Sequence, residues 1–413
     1  MTSRADRITF PGSSGEALAA RLDLPAGPPK AFALFAHCFT CSKDLQAVSR
    51  IASTLTHQGY GLLRFDFTGL GASDGEFANT NFSSNVDDLV AAAAWLRAHH
   101  RGPQLLVGHS LGGAAVLVAA SRIPEVAAVA TIAAPSDPAH VAELFDGELE
   151  TIDEHGEACV TLAGRQFTIR RQLVDDLHRG NVTESAASFN GAVMIMHSPI
   201  DNIVGVEHAA KLYEAARHPK SFVSLDGADH LLSDPADAAY AAAVAGVWAG
   251  RYLADQSGAA PPPAPSAPVV VAETTQGAFL NHVVAGAHRF LADEPESIGG
   301  FDAGPSPYEL LASALGACTS MTLRMYADRK GLPLDRVTVE VSHDRVHPDD
   351  AAGVDDDAGV ASAAPRIDRF TRTLRIDGDL DDAQLASLVR IADKCPVHRT
   401  LERSSRIETT LAQ

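Results

Sequence analysis

The sequence predicts two folded units: an α/β unit built on a mostly parallel sheet, then a smaller α+β unit. Three observations carry this. Short apolar runs alternate with helix-like stretches through residues 1–254. One of those runs passes into a helix through Gly108-His109-Ser110-Leu111-Gly112. Residues 255–268 (DQSGAAPPPAPSAP) are rich in Pro, Ala and Ser and read as an extended tether that cannot bury a core. Beyond it, residues 269–413 suffice for a second domain.

The apolar runs of the first unit are 31–36 (AFALFA), 61–65 (GLLRF), 105–107 (LLV), 126–132 (VAAVATI), 192–196 (AVMIM) and 221–225 (SFVSL). Helix-like stretches such as 86–99 and 206–216 lie between them. Strands without polar alternation are buried on both faces, as in a parallel sheet covered by helices. Chemistry in such sheets gathers at the carboxyl ends of the strands. Residues 136–190 interrupt the alternation with a hairpin-like piece, 158–170 (ACVTLAGRQFTIR), and a helix-like RQLVDDL. They read as a cap inserted over those strand ends.

Ser110 lies at the strand-to-helix turn, where glycines two positions to either side leave room for a strained backbone. A serine hydroxyl needs a base to become a nucleophile, and the base needs an orienting acid. Asp201 follows the run 192–196, and His230 follows the run 221–225. The order Ser, Asp, His is the one expected with such an elbow. Taken singly, Asp201 also fits a turn carboxylate and His230 a loop histidine; the three in order favour a triad. Asp226 and Asp229 stand too close to His230 to form a separate acid loop, Asp66 reads as a turn brace, and His37 and His109 as structural. The expected oxyanion donors are the N–H of Leu111 and one from His37-Cys38-Phe39-Thr40, Phe39 ahead of Cys38. Cys38-x-x-Cys41 has the spacing of a redox motif without the context of one.

These residues resemble the α/β-hydrolase superfamily over residues 5–253, with Cys38 where glycine is usual. The resemblance implies a serine esterase that cleaves a small-molecule carboxylic ester through an acyl-enzyme.

In the second unit, 269–273, 279–285 and 336–341 read as strands, and 307–331 (PYELLASALGACTSMTLRMYADRKG) as one long helix buried on most sides. Residues 381–394 read as a second helix ended by Pro396, and the acidic stretch 348–365 as a surface loop. Cys318 lies in the middle of the long helix and Cys395 at the end of the second. A free cysteine is most often a small core residue. Two of them also fit a peroxide-reducing pair, in which a thiolate becomes a sulfenic acid and a second thiol closes a disulfide. A helix C-terminus disfavours negative charge, so Cys318 is the expected attacker and Cys395 the resolving thiol. Arg289, His398 and Arg399 are the candidate cations.

The runs Gly304-Pro305-Ser306-Pro307-Tyr308-Glu309-Leu310-Leu311, Leu315-Gly316-Ala317-Cys318 and Asp393-Lys394-Cys395-Pro396-Val397-His398 resemble the OsmC/Ohr family over residues 269–413. The whole chain resembles the fusions of an α/β hydrolase with an OsmC-like domain. The resemblance implies an intertwined homodimer and thiol-dependent reduction of organic hydroperoxides, with a dithiol reductant as the only auxiliary. The family's thiolate-pairing arginine sits in a glycine turn. The matching turn here, Thr275-Gln276-Gly277, holds none, which leaves Arg289 as a substitute. Glu309 lies one place beyond the family's helix glutamate. A second reading keeps this unit as a catalytically silent module for dimerisation or substrate presentation.

Composition narrows the classes. The formal charge of −19 argues against nucleic-acid and anionic-membrane partners, which need clustered Lys and Arg. No apolar run is long enough to span a membrane, the first residues lack a secretory pattern, and the five cysteines read as cytoplasmic thiols. No metal site and no cofactor are expected.

Overall fold

The computed structural model describes residues 4–39, 41–162, 164–254, 258, 260–346, 367–403 and 405–411. The expected loop 348–365, Thr40 and part of the tether lie outside these. The chain divides into two units, Met1–Pro261 and Pro262–Gln413.

The apolar runs of the first unit form β3 (Ala31–Ala36), β4 (Tyr60–Phe65), β5 (Leu105–His109), β6 (Ala128–Ile132), β9 (Ala192–His197) and β10 (Lys220–Ser224). Strands β1 (Arg4–Pro11) and β2 (Ala17–Leu24) precede them and extend the sheet antiparallel to β4. The eight-stranded order is β1-β2-β4-β3-β5-β6-β9-β10, and every pair from β4 onward is parallel. From β3 the chain goes first to β4 on one side and then to β5 on the other. The carboxyl ends of β3 and β5 therefore flank the point where winding reverses, the usual ligand crevice of an open α/β sheet.

Strands β3, β4, β5, β6 and β9 are buried along every residue. Helices Phe82–His99 and Leu111–Ala120 cover one face, and helices Gln46–His57 and Pro235–Ala249 the other. The first of these helices starts where Asn81 accepts from the Ser84 amide and Ser84 answers the Asn81 backbone, a reciprocal cap that satisfies two end groups. Between β6 and β9 the chain inserts the 3-10 stretch Pro138–Glu148, the helix Leu149–His155, the antiparallel hairpin β7 (Glu157–Leu162) and β8 (Arg165–Arg170), and the helices Arg171–Arg179 and Val182–Ser188.

In the second unit, β11 (Val269–Glu273), β12 (Asn281–Ala285) and β13 (His288–Ala292) form an antiparallel sheet, and β14 (Leu334–Val346) pairs with β15 (Ile367–Gly378). The long helix Pro307–Lys330 packs on β14 and on helix Asp382–Ala392. Ser306 and Glu309 cap its start, and Gly331 ends it in the left-handed region at φ 64°. Two expectations need correction. The long helix is not buried on most sides: Met321 and Met325 are 66% and 72% exposed, because the buried cluster of Leu323, Ala327, Leu334, Leu388 and Ala392 lies along its other side. Pro396 does not simply end a helix. It opens a new one, Pro396–Glu402, with Cys395 as its cap, since a missing N–H costs nothing in a first turn. Among the described residues, no helix is long and apolar enough to cross a membrane.

Candidate active site

Ser110 stands between β5 and helix Leu111–Ala120 with φ 54° and ψ −126°, a conformation that side chains rarely adopt. The glycines around it are steric requirements. A Cβ on Gly108 would strike the Gly112 carbonyl, and one on Gly112 would strike the carbonyls of Ala36 and His37 at the end of β3. The elbow is thus pressed against the loop that follows β3.

The structure brings Ser110, His230 and Asp201 into one hydrogen-bonded line. His230 Nε2 is 3.0 Å from Ser110 Oγ, and His230 Nδ1 is 2.8 Å from Asp201 Oδ2. Asp201 Oδ1 accepts from the amides of Ile203 and Val204 at 2.9 and 3.0 Å. Burial pushes the Asp201 carboxyl upward, but the His230 ring and the two amides outweigh it and hold it below its ordinary range. An ionised Asp201 fixes the tautomer that leaves His230 Nε2 free to accept the serine proton. Asp229 is engaged elsewhere, accepting from the Ser233 amide at 2.8 Å.

His109 and His37 support the site from behind. His109 Nε2 donates to the His230 carbonyl at 2.6 Å. Burial first, then the nearby His230, pushes His109 down to about 4. A histidine depressed from 6.5 to about 4 stays neutral in the folded state while the unfolded chain protonates. Its contribution is complete above pH 6.5 and is lost as the pH falls toward 4, about 3 kcal/mol in all. Urea midpoints are therefore expected to fall across that window, and His109→Gln to flatten part of the slope. His37 Nδ1 is 2.8 Å from the Cys38 carbonyl. Asp66 braces the neighbouring turn through Lys43 and the Ala72 amide.

Leu111 opens its helix, so its N–H is one of the amides a helix leaves without an internal partner. Cys38 and Phe39 line the same cavity as Ser110 and His230. That cavity measures about 360 Å³, and its walls are largely apolar: Val141 and Leu144 from the cap, Leu162 from the hairpin, and Ile203, Val204 and Leu231 from the acid and histidine loops. Cys38 and Cys41 stand side by side in the loop after β3, their Cα atoms 5.2 Å apart. The structure also adds His140, which sequence reading passed over. From the cap, His140 Nε2 reaches the Ile203 carbonyl at 2.6 Å and ties the cap to the acid loop.

In the second unit Cys395 is fully buried, while Cys318 is half-buried. Cys395 Sγ accepts from the His398 amide at 3.3 Å and lies 3.7 Å from the Thr319 hydroxyl. Burial raises the Cys395 thiol, but the His398 amide, the Cys318 thiol and the Thr319 hydroxyl outweigh it and hold it below its ordinary value. This overturns the reason given for the roles of the two thiols: Cys395 stands at a helix start, where negative charge is favoured. Glu309 serves the helix cap, accepting from the Ser306 amide at 2.7 Å. Arg289 lies exposed on β13 opposite Val284, and no hydrogen bond or ion pair among the described residues joins it to either cysteine.

Comparison with known proteins covers both units. The family described as serine aminopeptidase, S33 matches residues 27–150, and that described as OsmC-like protein matches residues 300–410. The solved esterase domain from a Rhodothermus marinus protein is 53% identical, spanning 60% of this chain and 99% of that one with a TM-score of 0.51. The mitochondrial palmitoyl-protein thioesterase ABHD10 of Mus musculus is 30% identical over 189 residues, 43% of this chain and 62% of that protein. The uncharacterized protein YfhR of Salmonella typhimurium is 26% identical over 238 residues, 55% of this chain and 75% of that protein. The chain therefore belongs to the α/β hydrolases through its first unit and to the OsmC-like proteins through its second, the two fused in one polypeptide.

Proposed function

We propose that the first unit is a serine esterase acting on esters or thioesters of apolar acyl groups. The observation that carries this is the line Ser110–His230–Asp201 opening into an apolar, cap-covered cavity. Ser110 Oγ attacks the carbonyl carbon while His230 takes its proton. The oxyanion meets the N–H of Leu111 and that of Phe39, with Cys38 beside it. His230 then protonates the leaving alcohol or thiol, and water repeats the sequence on the acyl-Ser110 ester. The esterase and acyl-protein thioesterase names of the relatives support an acyl substrate. A panel of p-nitrophenyl esters of rising chain length, with Ser110→Ala as control, tests the reading.

For the second unit we propose thiol-dependent reduction of organic hydroperoxides by Cys318 and Cys395. Cys318 is the more exposed of the two and meets the peroxide; Cys395 resolves the product. Attack of the Cys318 thiolate on the O–O bond releases the alcohol and leaves a sulfenic acid. Cys395 displaces water from it to close a disulfide, and a dithiol reductant restores both thiols. Such chemistry suits a reducing, cytoplasmic setting. The sparse core and the exposed Leu311, Met321 and Met325 on one helix favour a homodimer that covers this face. Sedimentation of the full chain is expected to give twice the chain mass at micromolar concentration; a monomer would contradict the dimer.

A further inference from the structure

The thiol pair needs a cation, and the residues singled out from sequence do not supply it. Arg372, on β15, reaches the pair instead. Its Nη1 donates to the Thr319 hydroxyl oxygen at 2.9 Å and to the Ala392 carbonyl at 3.1 Å, and its Nη2 donates to Asp393 Oδ1 at 2.8 Å. These three acceptors lock the guanidinium fork in place. Thr319 is fully buried, directly after Cys318 in the long helix. Its single hydroxyl hydrogen has two acceptors in reach, the Leu315 carbonyl at 2.8 Å and Cys395 Sγ at 3.7 Å. Arg372 occupies the acceptor side of that hydroxyl, so the hydrogen can turn toward a charged sulfur, polarised by the guanidinium behind it.

Other groups also face Cys395. The Cys318 thiol, from the long helix, favours the charged form of Cys395. His398 presents its amide to the sulfur, while its ring is held by Glu402 at 3.0 Å. Asp393 opposes Arg372, but its side chain is 64% exposed against 12% for Arg372, so water screens the carboxylate more than the guanidinium.

We propose that Arg372, acting through the Thr319 hydroxyl, is the positioning residue that stabilises negative charge on Cys395 of the thiol pair. This rests on reading the pair as redox-active thiols. It is tested on the full chain by the pH dependence of thiolate absorbance near 240 nm, taken as the difference from the Cys395→Ser variant. Arg372→Ala is expected to raise the midpoint by about one unit, a thiolate fraction about tenfold smaller at a pH below both midpoints. Arg372→Lys recovers part of the shift, and Thr319→Val moves the midpoint the same way with Arg372 intact. An unchanged midpoint in Thr319→Val would overturn the assignment, even where Arg372→Ala does not fold. Shifted midpoints in a chain that consumes no hydroperoxide would leave Arg372 in this role and refute the peroxidase reading instead.

Discussion

Ser110→Ala is expected to lower kcat for p-nitrophenyl acyl esters by on the order of 10⁴- to 10⁶-fold, the range seen when a hydroxyl nucleophile is deleted from a working triad. The reason is local. His230 Nε2 has Ser110 Oγ as its partner at 3.0 Å, and removing that oxygen leaves a base with no attached nucleophile. The remaining oxyanion donors and apolar cavity still bind ester, so residual hydrolysis above water persists. The fold loses little, because alanine fits the same elbow and the Ser110 amide still donates to the Ile132 carbonyl. Thermal unfolding should therefore stay close to the parent while turnover collapses. A variant that kept a tenth of the parent rate would show that Ser110 is not the nucleophile.

Cys318→Ser is expected to reduce hydroperoxide consumption with a dithiol reductant to the uncatalysed background, with ester cleavage unchanged. A serine hydroxyl cannot replace a thiolate toward an O–O bond: it is not ionised near neutrality and has no sulfenic state to pass on. Cys395→Ser should behave differently. Cys318 can still attack once, but the sulfenic acid lacks its resolving partner, so a single turnover is followed by arrest. If both variants reduce hydroperoxide at the parent rate, the second unit is a silent dimerisation module. If Cys318→Ser also lowers ester cleavage, the two activities are not independent.

What could be read from the sequence follows burial. Strands β3, β5 and β9 are covered on both faces, so they are apolar apart from His109 and His197 at the ends of β5 and β9, and their positions can be read directly. Strand β2 alternates buried and half-buried positions and carries Arg21 and Asp23, and β15 (IDRFTRTLRIDG) carries charge at nearly every second residue on a half-exposed surface. Neither gives an apolar run, and both were missed. Ser110, Asp201 and His230 were legible because each follows a strand that was itself legible. Their hydrogen-bonded line, the His140 tie and the apolar cavity depend on how the cap closes, which no local pattern encodes. Pro396 misled for a physical reason: proline is tolerated both after a helix and at the first position of the next one. Reading it only as a stop placed Cys395 at the wrong end of a helix dipole. Arg372 was invisible because β15 itself was.

The central claim is that Ser110 becomes covalently acylated. The direct measurement is exposure of the full chain to a fluorophosphonate probe, followed by peptide mass spectrometry and residual ester turnover. The expected result is a single phosphonyl adduct on the peptide containing Ser110, with ester cleavage lost in proportion, and no adduct in Ser110→Ala. Full ester cleavage in a protein unmodified at Ser110, or an adduct on another residue that tracks the loss of activity, would contradict it.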